Sequence, residues 1–274
     1  MVRRTPTRSQ GRMSKEFEDK IVVVSGGSRG IGFAIASAFA AEGAQTVLVA
    51  TSADRLSVAA DRIAEADGLR PLTVTADLRD LAGCQQVYNT VADSYGSCDV
   101  LVNSAGATRA GNFLMQPDEQ WQDGFALKLH ACIRLYRLFW PMLRKTQGVV
   151  VNIVGGAART PDPEFLIGGS VNAAMANFTK GLSGLGKRDG VNVNAILPGL
   201  TETERVQQLF EQRAAATGIT PDEARRNTIE KEGIRRLGQP GDVAALALFL
   251  ASERACHIQG TSIAVDGGGT PGVY

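Results

Sequence analysis

From Lys20 onward, short apolar runs alternate with stretches of helical periodicity. The runs are Ile21-Val22-Val23-Val24, Thr46-Val47-Leu48-Val49-Ala50, Leu72-Thr73-Val74-Thr75, Val100-Leu101-Val102, Val149-Val150-Val151-Asn152-Ile153, Val191-Asn192-Val193-Asn194-Ala195 and Ser262-Ile263-Ala264-Val265. They are continuous rather than alternating, which predicts strands buried on both faces of a parallel sheet. Helices are predicted near 31–42, 55–66, 80–94, 117–144, 172–187 and 241–252. Regular strand–helix alternation implies an α/β fold, a three-layer doubly wound parallel sheet of about seven strands with right-handed crossovers. No linker or composition break divides residues 20–274, so a single domain is expected.

The stretch 200–238 interrupts this rhythm and reads as two helices. The second has a marked start: Thr220 as N-cap, Pro221 in the first turn, and Glu223 completing a capping box. An excursion between the sixth and last strands lies over the carboxyl ends of the sheet, where such folds bind ligands. A substrate lid is the functional reading, and an ordinary surface hairpin the alternative.

Composition narrows the partners. Lys plus Arg is 29 and Asp plus Glu is 28, so the net charge of +1 lacks the footprint of a general nucleic-acid binder. No apolar run reaches the ~18 residues of a membrane span. Cys84, Cys98, Cys132 and Cys256 are scattered without C-x-x-C spacing, which favours a reducing cytoplasmic setting over disulfides or zinc. His130 and His257 are the only histidines and have no metal-ligand spacing, so no metal is expected. Residues 1–19 carry Arg3, Arg4, Arg8, Arg12 and Lys15 without an apolar segment. They read as a flexible basic tail or as sequence ahead of a start at Met13, with a targeting or surface-binding arm as the alternative.

The first strand runs into Ser25-Gly26-Gly27-Ser28-Arg29-Gly30-Ile31-Gly32. Gly26 permits the turn, Gly30 lets the backbone approach a pyrophosphate, and Gly32 allows close helix packing. Phosphates would sit at the helix N-terminus, where free N–H groups and the helix dipole favour negative charge. The spacing is G-x-x-x-G-x-G. With Asn103-Ser104-Ala105-Gly106, Asp77-Leu78, Pro198-Gly199 plus Thr203, and Val265-Asp266-Gly267-Gly268, the chain resembles the short-chain dehydrogenase/reductase family from Lys20 to Gly268. The resemblance implies a Rossmann fold whose nucleotide site includes Gly26, Ser28, Arg29, Gly30, Ile31, Gly32 and Ile153. It places Asp77 and Leu78 at adenine, Asn103, Ala105 and Gly106 at the ribose, and Pro198, Gly199 and Thr203 at the nicotinamide.

A carboxylate ending the second strand would bind the ribose 2′-hydroxyl of NAD(H) and repel a 2′-phosphate. Here that strand ends Val49-Ala50-Thr51-Ser52. Arg29 stands where the family uses a basic residue for the phosphate, and Thr51 and Ser52 add hydroxyl donors. NADP(H) is therefore favoured over NAD(H), with Arg29 as a plain solvated charge the competing reading.

The same resemblance exposes a departure. The family exchanges a proton through a Tyr assisted by a Lys four residues later, a Ser thirteen residues before it, and an Asn on the preceding long helix. An unassisted Tyr titrates near ~10, too high for efficient exchange at neutral pH. Val151-Asn152-Ile153 and Ala173-Ala174-Met175-Ala176-Asn177-Phe178-Thr179-Lys180 set the register on either side. The Ser position falls on Gly155, the Tyr position on Gly168, the Lys position on Asn172, and, with Trp121 as marker, the Asn position on Lys128. No Y-x-x-x-K occurs in the chain. The pattern resembles a divergent branch of the family that lacks the Ser, Tyr and Lys.

Lys128 and Asn172 reverse the family pair, so the Lys128 ammonium is a candidate for cofactor ribose or a substrate oxygen. The competing reading has it snorkel to solvent. Arg159, Asp162 and Glu164 are further candidates for proton transfer, or solvated loop charges. Three functions follow: an atypical NADP(H)-dependent oxidoreductase acting on the carbonyl or alcohol of a small hydrophobic molecule; a lyase, isomerase or cyclase on the same fold; and a silent binding or regulatory homologue. Val154, Leu166, Ile167 and Leu200 suggest the apolar pocket. The family implies a homodimer or homotetramer packed through 125–144 and 172–187, with Ile133, Leu135, Leu138 and Phe139 as core or interface.

Overall fold

The structure, a computed structural model, describes residues 15–271. Residues 1–14 of the expected tail lie outside the described residues. Residues 15–19 belong to the folded unit: Phe17 is buried edge-on against Phe39 at 4.9 Å, and its N–H donates to the Glu42 carbonyl at 3.0 Å. The tail boundary expected at residue 19 is thus corrected, because an aromatic ring there finds a core partner.

Seven strands, β1 (Ile21–Ser25), β2 (Gln45–Ala50), β3 (Leu72–Thr75), β4 (Val100–Asn103), β5 (Val149–Ile153), β6 (Asn192–Pro198) and β7 (Ser262–Val265), form one parallel sheet. The order is β3-β2-β1-β4-β5-β6-β7, the doubly wound Rossmann-like arrangement expected. Alternate residues of β1 explain its unbroken apolar run: Ile21 and Val23 enter one core, and Val22 and Val24 the other. The first core packs the sheet against α3 (Leu81–Tyr95), α5 (Ala131–Thr146) and α6 (Leu166–Asp189). The second packs it against α1 (Gly30–Ala41), α2 (Ala53–Asp67) and α9 (Pro240–Ala251).

Two helices differ from the sequence expectation. The helix predicted over 117–144 is divided into α4 (Asp118–Phe125), a π-helical turn at Ala126–His130, and α5. Such turns recur at functional sites, and this one carries Lys128. Helix α6 starts at Leu166 instead of near 172, because Gly168 and Gly169 hide the pattern while Phe165 anchors the start: Gly169 N–H donates to the Phe165 carbonyl at 2.8 Å.

The excursion forms α7 (Glu204–Thr217) and α8 (Pro221–Glu232) around their own small core of Phe210, Ala214, Ala224, Ile234 and Leu237. Thr220 accepts from Glu223 N–H at 3.2 Å, so half of the expected capping box forms. The pair is pinned at its base by a bridge between Thr201 and Gly238. No helix among the described residues is long and apolar enough to cross a membrane.

Candidate active site

The sheet order reverses between β1 and β4, and the carboxyl ends of these strands open the crevice where doubly wound folds bind ligands. Ser25 knits the two loops there by accepting from Ser104 N–H at 3.1 Å and Ala105 N–H at 3.2 Å. A Cβ on Gly26 would stand 3.0 Å from Ala105, and one on Gly32 would strike the Gly26 carbonyl at 2.3 Å. The loop is thus closed down on helix α1. Arg29 is the N-cap but gives no side-chain cap, and the first turn holds no acidic residue, so the α1 amides are left for an anion. Ser28 and Ile31 lie in this turn, partly exposed. Thr203 caps α7 by accepting from Val206 N–H at 3.4 Å, and its methyl lies 3.3 Å from where a Cβ on Gly30 would stand. The start of α7 therefore sits directly over the glycine loop.

Asn103 ends β4. It is buried, donates from Nδ2 to Asn152 Oδ1 at 3.0 Å, and leaves its own Oδ1 without a partner. Asn152 also accepts from the Tyr136 hydroxyl and donates to Thr179 at 2.9 Å, so Asn103 is held by a satisfied network behind it. An unpaired buried oxygen is costly, and this one fits a hydroxyl donor such as a ribose. The site therefore fits a dinucleotide: open amides for phosphates, a fixed acceptor for ribose, and glycines that allow close approach.

Other expected contacts are placed less simply. Ser52 caps α2 by accepting from Arg55 N–H at 3.3 Å, which leaves its proton to donate, and Thr51 is exposed. Arg29 is ion-paired with Glu204 of α7 at 2.9 Å, with both side chains more than half exposed. Burial raises the Asp77 pKa, but hydrogen bonds and charge from Arg79 outweigh it, leaving the carboxyl below its usual value. Arg79 also binds Asp123 of α4. Leu78 is turned into the core. Ile153 packs beside the second core, and Gly199 N–H donates to Val265 at 3.1 Å, joining the Pro198-Gly199 turn to β7.

The chemistry end is built differently. Gly155 has φ +121°, a region that disfavours side chains, and a Cβ there would come 3.0 Å from Asn172 Nδ2. A Cβ on Gly168 would stand 2.1 Å from the Phe165 ring. The space into which a residue 168 side chain would project is filled by that ring. Asn172 is buried with its Oδ1 unpaired. Lys128, partly buried, donates to the Val154 carbonyl, and its stem lies 3.3 Å from where a Cβ on Gly106 would be. Burial, with Arg205 adding repulsion, lowers its pKa to about 8. Arg205, in the first turn of α7, reaches across to donate to the Thr108 carbonyl at 2.6 Å.

Lys128, Asn172 and Gly155 thus come together, and Arg205 joins them from the lid. Sequence reasoning missed Arg205, although its place two residues after Thr203 was a usable signal. Arg159 is tied to β7, donating to Ser262 at 3.1 Å. Asp162 and Glu164 are exposed and shape their own loop. His130 and His257 are exposed. The expected apolar wall is not an open one: Val154 and Ile167 are fully packed, and Leu200 joins the lid core. Leu135 and Phe139 are likewise spent in the core, whereas Ile133 and Leu138 keep some exposure.

A seven-stranded doubly wound sheet with a glycine loop opening its first helix defines a Rossmann-like nucleotide-binding scaffold. The family model described as Enoyl-(Acyl carrier protein) reductase matches residues 26–270, and the chain belongs to the short-chain dehydrogenase/reductase family. It is 34% identical over 260 residues to the 3-oxoacyl-acyl-carrier-protein reductase of Escherichia coli, covering 92% of this chain and 98% of that one. It is 31% identical to meso-2,3-butanediol dehydrogenase of Serratia marcescens, covering 93% and 96%. The L-sorbose reductase of Gluconobacter frateurii, solved with NADPH and L-sorbose, superposes with a TM-score of 0.91 at 33% identity, covering 95% and 100%.

Proposed function

We propose that the protein is an atypical NADP(H)-dependent oxidoreductase that acts on the carbonyl or alcohol of a small molecule. The observation that carries the cofactor half is Asn103, held rigidly with an unpaired acceptor beside an uncapped helix terminus. NADP(H) is favoured because no carboxylate ends β2, while Arg29, Thr51 and Ser52 stand nearby. The exposed ion-pair partner of Arg29, Glu204, is weakly held and readily exchanged for a phosphate.

When bound, nicotinamide supplies hydride transfer. Lys128 meets the substrate oxygen, and a pKa of about 8 suits it to donate a proton there near neutral pH. Asn172 presents its free Oδ1 to a hydroxyl. Gly155 and Gly168 occupy the Ser and Tyr positions implied by the family, and the Phe165 ring excludes water from the Tyr space. That substitution favours, as second reading, a non-redox reaction on the same scaffold. A groove of about 600 Å³ between α5 and α6, lined by Ile133, Tyr136, Trp140 and Phe178, supports assembly into a homodimer or homotetramer.

Isothermal titration with NADPH and NADH tests the reading. NADPH is expected to bind more tightly, and failure of both to bind below millimolar concentration overturns it. If NADPH binds but no carbonyl consumes it, the second reading takes over.

A further inference from the structure

Lys128 and Arg205 both lie against the loop after β4: the Lys128 stem stands 3.3 Å from where a Cβ on Gly106 would be, and Arg205 donates to the Thr108 carbonyl at 2.6 Å. Lys128 comes from the π-helical turn and Arg205 from the first turn of the lid. Among the described residues neither forms an ion pair with a carboxylate; the nearby acid, Glu204, is engaged by Arg29. Each cation instead donates to a main-chain carbonyl, Val154 for Lys128 and Thr108 for Arg205. A carbonyl satisfies one N–H but leaves the charge uncompensated. Burial first, and then the Arg205 charge, lowers the Lys128 pKa; burial first, and then the Arg29 charge, lowers that of Arg205. Lys128 is partly buried and Arg205 exposed, so the cost of the like-charged neighbour falls mainly on Lys128, and an anion between them would offset it.

The donors that remain suit such an anion. Lys128 has three N–H groups and spends one on Val154, while a guanidinium has five and Arg205 spends one on Thr108. Beside Gly155, the residue after the Val154 that Lys128 bonds, Asn172 Oδ1 is buried and unpaired, an acceptor suited to a hydroxyl. One molecule that offers both partners is a hydroxy acid; its oxo-acid oxidation product keeps the carboxylate for the cations and gives up the hydroxyl from which Asn172 would accept.

We propose that the substrate is a short oxo or hydroxy acid whose carboxylate is held between Lys128 and Arg205. The carboxylate stands one or two carbons from the reacting oxygen, so the two remaining Lys128 N–H groups serve both. Arg205 then ties the lid to the ligand rather than to Thr108. This rests on the oxidoreductase reading for its chemistry, but the binding site stands on the cation pair alone.

The test uses 2-oxobutanoate and 3-oxobutanoate against their methyl esters, which keep the carbonyl and lose the charge. Binding is measured by isothermal titration on the full chain, with and without NADP. At least one acid is expected to bind about tenfold or more tighter than its ester, the scale of a charge-assisted contact. Lys128→Met and Arg205→Met each erase that gap, Lys128→Arg retains most of it, and NADPH affinity stays within about twofold in all three, with folding checked by circular dichroism. Two results overturn the proposal: neither acid outperforms its ester, or the variants weaken NADPH while leaving the acid–ester gap intact, which would assign the cations to cofactor phosphate. Acid binding by a wild-type chain that takes no NADPH would instead remove the oxidoreductase reading and leave the anion site standing.

Discussion

The two halves of the cleft are made in opposite ways. At the cofactor end, glycines are present where backbone must come close, and polar atoms are held in place by a network behind them. At the other end, two glycines are closed over by neighbouring side chains: Phe165 covers Gly168, and Asn172 approaches Gly155. A glycine thus does different work at the two ends. In the phosphate loop the missing Cβ lets backbone close on backbone, Gly26 against Ala105 and Gly32 against the Gly26 carbonyl, whereas at 168 it makes room for a neighbour's ring.

The hardest way to break this contrast is at Gly32. A methyl there would meet the Gly26 carbonyl at 2.3 Å, and backbone cannot swing aside as a side chain does. Overpacking of this kind costs about 1–3 kcal/mol. Gly32→Ala is therefore expected to weaken NADPH binding by about 10- to 100-fold in isothermal titration. Because Lys128 and Arg205 do not touch this turn, acid binding in the absence of cofactor should be unchanged. Loss of both would mean that the halves are not separable.

The second test rebuilds the chemistry end. Gly168→Tyr alone forces a side chain into the Phe165 ring at 2.1 Å and should destabilise the fold by about 1–3 kcal/mol, read as a lower urea midpoint. Adding Phe165→Ala removes the obstacle, and most of the lost stability should return. Residues in contact couple in this way, and a double-mutant cycle measures the coupling. Additive effects would show that Phe165 does not occupy the position 168 side-chain space.

Much of the scaffold was legible in the sequence because it rests on local, repetitive signals. The β-branched runs gave all seven strands, and the Gly loop gave the crevice. The helix starting at Leu166 was less legible, since Gly168 and Gly169 carry no pattern and only a tertiary contact from Phe165 holds that turn. The π-helical turn around Lys128 has no periodicity of its own to read. The apolar pocket failed for another reason: Val154 and Ile167 are hydrophobic, but sequence does not say whether an apolar residue packs inward or faces a ligand. Arg205 was visible as a residue but not as a partner of Thr108, because that contact spans 97 positions and depends on how the lid folds back.

The smallest expected effect concerns the Lys128 charge. Its pKa in the folded protein is about 8, below the value of 10.5 for an unperturbed Lys. Between these values the unfolded chain binds more protons than the folded one, so this group makes stability rise with pH over that window. Below pH 8 the folded state carries a charge it disfavours, held near Arg205 of the lid, with the Cys132 thiol the other titratable group close by. Lys128→Met removes the slope. Its absolute stability also reflects the lost bond to Val154, so the informative quantity is the difference between the two proteins as pH changes. From pH 7 to 9 the wild type should gain on the variant by about 1 kcal/mol, allowing for the part of the side chain that solvent reaches. For a domain of this size that corresponds to about 2–4 °C in Tm. Burial pushes the Cys132 thiol up to about 12, so it titrates above this window in the folded protein and drops largely out of the difference. Adding a saturating oxo acid should flatten the wild-type slope, because a bound carboxylate holds the ammonium charged. A slope unaffected by the acid would place the anion away from Lys128.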